Sequence, residues 1–94
     1  MVSGTTDVPG MQQWLVWPNP AHDVVFAEIT FQQPTETHVA LLNNLGQIVL
    51  EQPAQTGSVL RFDLPVHHLP DGVYWLNIAT PDGRATRKII VLQP

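Results

Sequence analysis

The chain has no cysteine, so a disulfide framework, a thiolate nucleophile and a zinc knuckle are all excluded, and the redox compartment goes unread. Charge is scarce too. Asp, Glu, Lys and Arg make up 13% of the residues, about half the usual share of roughly 25%. Four cations, Arg61, Arg84, Arg87 and Lys88, face eight acids, for a formal net charge of −4. Four cations cannot line a phosphate-tracking groove, and the net charge repels nucleic acid and anionic membrane, so neither is an expected partner. No apolar run approaches the roughly 18 residues that a membrane helix needs. Serine occurs only at Ser3 and Ser58, and Ser58 lacks the Gly-x-Ser-x-Gly elbow of a nucleophile. The glycines at 46, 57, 72 and 83 stand singly and form no phosphate loop. Asp23, Asp63, Asp71 and Asp82 each sit at a turn or strand edge and not as a facing pair. His67 and His68 are adjacent, and in extended chain their rings point apart, so no metal site is expected. Catalytic, cofactor and metal assignments are therefore none.

What is present is β-forming. Ninety-four residues, 44% of them hydrophobic, make one domain able to fold. Valine (11) and threonine (8) outnumber alanine (6), a balance that suits pleated, half-buried surface. Nine prolines fall between apolar runs and punctuate them. Seven strands are predicted: Gln13 to Trp17, Val24 to Phe31, Thr37 to Leu42, Gln47 to Gln52, Val59 to Leu64, Gly72 to Thr80 and Arg84 to Leu92. Period-two rows define their inner faces: Val25, Ala27, Ile29 and Phe31; Leu60, Phe62 and Leu64; Tyr74, Leu76 and Ile78; Ile89 and Val91. Gly46 closes a tight turn after Asn43, and Pro81-Asp82-Gly83 is read as a turn in which Gly83 takes positive φ. Turn signals every 8 to 12 residues predict an all-β, seven-stranded antiparallel β-sandwich of Ig-like type. Residues 13–94 form this domain. Residues 1–12, small and polar at the start and without a basic n-region, read as a linker or cloning-derived segment and not as a signal peptide.

Two features of these strands are open to functional readings. Trp17 and Trp75 could stack on sugar, although edge-covering or core aromatics are the usual account. The run Lys88-Ile89-Ile90-Val91-Leu92 is either a closing strand, an aggregation hazard, or an edge to which another protein adds a strand.

Four segments occur in order: Trp17-Pro18-Asn19-Pro20, Asn43-Asn44-Leu45-Gly46-Gln47, Leu69-Pro70-Asp71-Gly72-Val73-Tyr74 and Lys88-Ile89-Ile90-Val91. Together, over Leu15 to Leu92, they resemble the C-terminal sorting domain, type A, of the Bacteroidetes type IX, or Por, secretion system. Each has a physical role of its own. Pro18, Asn19 and Pro20 stiffen a corner by removing two donors and restricting φ. Leu69 plugs one end of the fold, Gly72 takes a turn, and Tyr74 buries its ring while its hydroxyl keeps a polar partner, as in a tyrosine corner. Lys88 guards the most apolar strand against wrong edge pairing. The chain closes Leu92-Gln93-Pro94, where many relatives end on a basic residue.

The resemblance implies a non-catalytic secretion address. An attached upstream cargo would pass the periplasm and the outer-membrane type IX machinery, a sortase-like protease would remove the domain, and the cargo would end secreted or on the cell surface. With no cargo in the sequence, a fragment of a longer protein is the expectation. The implied recognition residues are Gly72, Val73, Tyr74, Lys88, Ile89, Ile90 and Val91, read through an edge strand, with Pro18, Asn19, Pro20, Gly46 and Leu69 as structural motif residues. The alternatives are an accessory carbohydrate- or cell-surface-binding module using Trp17 and Trp75, or a structural spacer. Oligomeric state is left undetermined.

Overall fold

A computed structural model describes the backbone from Gly4 to Pro94 and the side chains from Val8 onward. Six strands are found: β1 (Gly4–Asp7), β2 (Met11–Trp17), β3 (Val24–Leu42), β4 (Ile48–Pro65), β5 (Gly72–Thr80) and β6 (Gly83–Val91). They hydrogen-bond in the order β1-β6-β5-β3-β2, with β4 also on β3, and every pairing between these strands is antiparallel. None of the described residues is helical, and no helix is long and apolar enough to cross a membrane.

The expected count of seven strands is corrected in two ways. Val24 to Phe31 and Thr37 to Leu42 are one 19-residue strand, β3, and Gln47 to Gln52 and Val59 to Leu64 are joined within β4. Seven segments thus become five strands. A sixth, β1, lies in the segment read as linker, and β2 begins within it at Met11. The boundary at residue 12 therefore does not separate linker from sheet.

The length of β3 is what shapes the molecule. Its first half pairs β2 on one side and Val59–Pro65 of β4 on the other. Its second half, from His38 to Leu42, pairs β5 on one side and the start of β4 on the other. Register shifts separate the halves, between Thr30 and Thr35 and again between Thr37 and Val39. Pro34 and Pro53 fall in these unpaired stretches, where a missing N–H costs no ladder bond. At the fold-back of β4, a Cβ on Gly57 would come within 3.0 Å of the Leu60 side chain, so glycine permits the close approach.

Val25, Ile29, Leu41, Leu64, Leu76, Ile78 and Ile89 are all fully buried and come from both halves of β3 and their neighbours. These residues belong to one core cluster drawn from both halves of the sheet. The shortest extent of 20 Å accommodates two layers about 10 Å apart. The architecture is one continuous six-stranded antiparallel sheet with a single core cluster, where two separate sheets were expected.

The turns follow local chemistry, with one correction. Gly46 has φ +79° in the turn closed by Gly46 N–H to Asn43 O at 3.0 Å. Gly83 does not take positive φ. The β5–β6 turn is instead organised by Thr80, whose Oγ1 donates to Gly83 O and accepts from Asp82 N–H, both at 3.2 Å.

Leu76→Ala is expected to lower unfolding free energy by about 2–5 kcal/mol, since a fully buried leucine leaves a cavity. Val59→Ala, at a side chain 66% exposed, should change it by less than about 0.5 kcal/mol. Urea unfolding of both variants reads the difference.

Candidate functional site

The four motif segments meet at one end of the sheet. Leu42 pairs with Trp75 and Trp75 with Lys88, so the turn after β3, the start of β5 and the end of β6 lie side by side. In that turn the Asn43 Oδ1 accepts the N–H groups of Leu45 and Gln47, at 2.9 and 3.0 Å. This is the local competition with regular structure for which asparagine is suited.

The Pro-Asn-Pro corner, in which both X–Pro bonds are cis, does more than turn the chain. Asn19 Nδ2 donates to Lys88 O at 3.3 Å and its Oδ1 accepts the Ile90 N–H at 3.0 Å. Ala21 N–H then donates to Ile90 O, and Leu92 N–H to Ala21 O, both at 2.8 Å, forming a parallel bridge between Ala21 and Val91. Residues 19–21 therefore clasp the outer edge of β6. Asparagine suits the corner because its side chain carries both a donor and an acceptor.

The loop before β5 is tied down from the other side. Leu69 is buried, and the Tyr74 hydroxyl donates to Pro70 O at 2.7 Å from a ring only 5% exposed, as the tyrosine-corner reading anticipates. Gln93 supplies a tie that no local sequence signal shows. Its N–H donates to Asp71 Oδ1 at 2.7 Å, and its Nε2 to Val66 O and Leu69 O at 3.0 and 2.8 Å.

These contacts correct the expectation that β6 is read as an edge strand. β6 lies between β5 and β1, and beyond β1 its outer flank is held by Asn19 and Ala21. Tyr74, Ile89 and Val91 face the core and are buried. Of the residues named from sequence, Gly72, Val73, Lys88 and Ile90 are half-buried. Val73 pairs with Ile90 and Trp75 with Lys88, so the period of two sets Val73, Trp75, Lys88 and Ile90 on the outward face. Leu42 of β3 adjoins Trp75. Leu42 was missed as a member of this face, and Trp75 was read as outward but considered only for sugar stacking. The outward position of Trp75 follows from its alternation with Tyr74, whereas that of Leu42 beside it depends on which strand sits next to β5.

The remaining candidates are placed elsewhere. Trp17 lies on β2 beside the first half of β3, and Trp75 on β5 beside the second half. Trp17 packs on Phe26 with ring centroids 5.6 Å apart, and the Arg61 guanidinium lies over both rings, at 4.7 Å from the Phe26 centroid and 5.7 Å from that of Trp17. Arg61 is held there by Asp63 at 3.2 Å. Trp14 is buried, with the Arg87 guanidinium 4.2 Å from its ring centroid and donating to its carbonyl at 3.0 Å; burial lowers the Arg87 pKa from its ordinary value. His67 and His68 are exposed and meet edge to face, with centroids 5.3 Å apart, closer than extended chain would allow. No group of three or more metal-ligating side chains occurs among the described residues.

Asn19→Ala removes two charge-neutral hydrogen bonds and is expected to cost about 1–2 kcal/mol. Amide exchange should quicken at Ile90 and stay unchanged at the core amide of Ile78.

Residues 15–92 match the family model described as the secretion system C-terminal sorting domain, the same span over which the four motifs resemble it. Among solved structures, the crystal structure of dimeric latent PorU from Porphyromonas gingivalis is similar, with a TM-score of 0.70 and 16% identity over 86% of this chain. At that identity the likeness is one of fold. This chain covers 9% of that one. No curated protein matches the chain. The family match takes in the end of β2, from Leu15 to Trp17, and the whole of β3 to β6, including the clasp, the tyrosine corner and the outward face; the chain belongs to the C-terminal sorting domain family of type IX secretion.

Proposed function

We propose that this domain is a non-catalytic export address, read by the outer-membrane type IX machinery through the outward face of Val73, Trp75, Lys88 and Ile90. In this reading it is covalently attached to an upstream cargo, crosses the periplasm with it, and is removed by a sortase-like protease once the cargo reaches the surface or the medium. The observation that supports the face is convergence. Three separated stretches, the Pro-Asn-Pro corner, the 66–71 loop and Gln93, all brace the strand ends from which these four side chains project. A braced surface binds at lower entropic cost than a mobile tail. Apolar side chains beside a single ammonium group suit a partner with an apolar patch bordered by an acid. The buried members of the implied signal, Tyr74, Ile89 and Val91, act by holding that surface in place.

This reading changes what a deletion would mean. Removing Arg87 to Pro94 takes away Ile89 and Val91, both fully buried, so loss of export would report unfolding. Surface substitutions separate the two effects. With the full chain fused behind a periplasm-directed reporter in a host carrying type IX machinery, Lys88→Glu and Ile90→Asp should each lower surface delivery by about tenfold, the effect of losing 1.4 kcal/mol of binding. Glu28→Lys, on the outward face of the other half of the sheet, should leave it unchanged. Thermal unfolding of each variant must stay near that of the parent. Normal export by a folded Lys88→Glu, Ile90→Asp double variant would overturn the face as the recognition surface.

A further inference from the structure

The outer edge of β6 is covered by two different devices. The Lys88 carbonyl and both backbone polar groups of Ile90 point toward Asn19 and Ala21. The strand period of two therefore points the backbone groups of Thr86 and Arg84 to the same side. There the cover is β1, which pairs Thr5 with Thr86 and Asp7 with Arg84. The clasp at Asn19 to Ala21 lies inside the family span of residues 15–92, whereas β1 lies outside it. Among the described residues, β1 packs against β6 and no other strand. A four-residue strand at the rim of a sheet opens far more readily than the nine-residue β5–β6 ladder behind it.

Charge says what this edge accepts. Of the three cations on β6, Arg84 is the exposed one, opposite β1, whereas Arg87 is held against Trp14 and Lys88 stands beside the Asn19 clasp. β1 sets an acidic residue, Asp7, in register with Arg84. We infer that the β6 edge at Arg84 and Thr86 is a strand-acceptor site for an extended acidic segment, with β1 as its occupant in cis, displaced before a partner strand enters. Backbone pairing provides the attachment, and the Arg84 guanidinium selects for acid. This goes beyond the export reading and does not rest on it, since the site is an edge and a different surface from the Val73–Ile90 face.

The test uses the full-length, isotopically labelled chain and a synthetic peptide of residues 3–9. Thr5→Pro with Asp7→Pro removes from β1 the two N–H groups that face β6 and leaves chain length intact. In that variant the amides of Arg84 and Thr86 should exchange at least about tenfold faster while those of Leu76 and Ile89 keep their protection. The peptide should then shift Arg84 and Thr86 saturably in the variant and not in the parent at equal concentration. A peptide carrying Lys in place of Asp7 should bind several-fold more weakly, by a margin that narrows at about 0.5 M salt. Unchanged exchange at Arg84 and Thr86, or an opened edge that takes no peptide, would overturn the acceptor site. Equal binding of the two peptides would overturn its acidic preference. Native-state exchange of the parent gives an independent reading: Arg84 and Thr86 must open by a local route, well before Ile78, and loss of all these amides in one global step would contradict a detachable β1.

Discussion

The backbone of β6 must be satisfied on both flanks, and much of the structure is arranged to do so. Its inward side chains, Ala85, Ile89 and Val91, are buried, so the strand cannot leave without opening the core. One flank is taken by the full β5 ladder. The other is closed piecewise, by β1 over Arg84 and Thr86 and by Asn19 with Ala21 over Lys88 and Ile90. The run from Lys88 to Leu92 has the composition that pairs indiscriminately when its edge is bare. Closing that edge turns an aggregation hazard into a fixed support for the core side chains of β6.

Other exposed edges are handled by the same chemistry. Gln52 and Gln55 donate to Asp63 O and Arg61 O, both at 3.0 Å, along the free side of β4. Arg87 reaches from β6 to the Trp14 carbonyl on β2. Edge strands are commonly protected by charged side chains, lysine above all, but this chain has one lysine. Long side chains that fold back onto edge carbonyls serve in place of surface charge. The two ends of the domain are thereby linked: the Pro-Asn-Pro corner near its start and Gln93 near its close both brace the β5–β6 hairpin.

Much of the fold was legible because alternation is local. The inner rows through Val25, Phe62, Tyr74 and Ile89 were readable from period two and are buried as expected. Two interruptions misled the strand count. Pro34 and Pro53, each among exposed polar residues, end the apolar alternation and look like strand ends, yet they sit in unpaired stretches where β3 and β4 pass from one half of the sheet to the other. β1 gave no signal, because Gly4-Thr5-Thr6-Asp7 has no apolar row and a strand held by backbone pairing needs none.

Residue alternation by itself determined the all-β class, the core rows and the outward position of Trp75, and the order of four short motifs pointed to the family, because each of these depends on neighbours a few positions apart. Tertiary structure decided whether β6 is an edge, which residues brace it, and which side chains stand beside Trp75. Asn19 and Ile90 are 71 positions apart and Gln93 and Val66 are 27, and a hydrogen bond across such a separation has no local pattern. It exists only once a folded sheet has brought the two ends of the chain to the same strand.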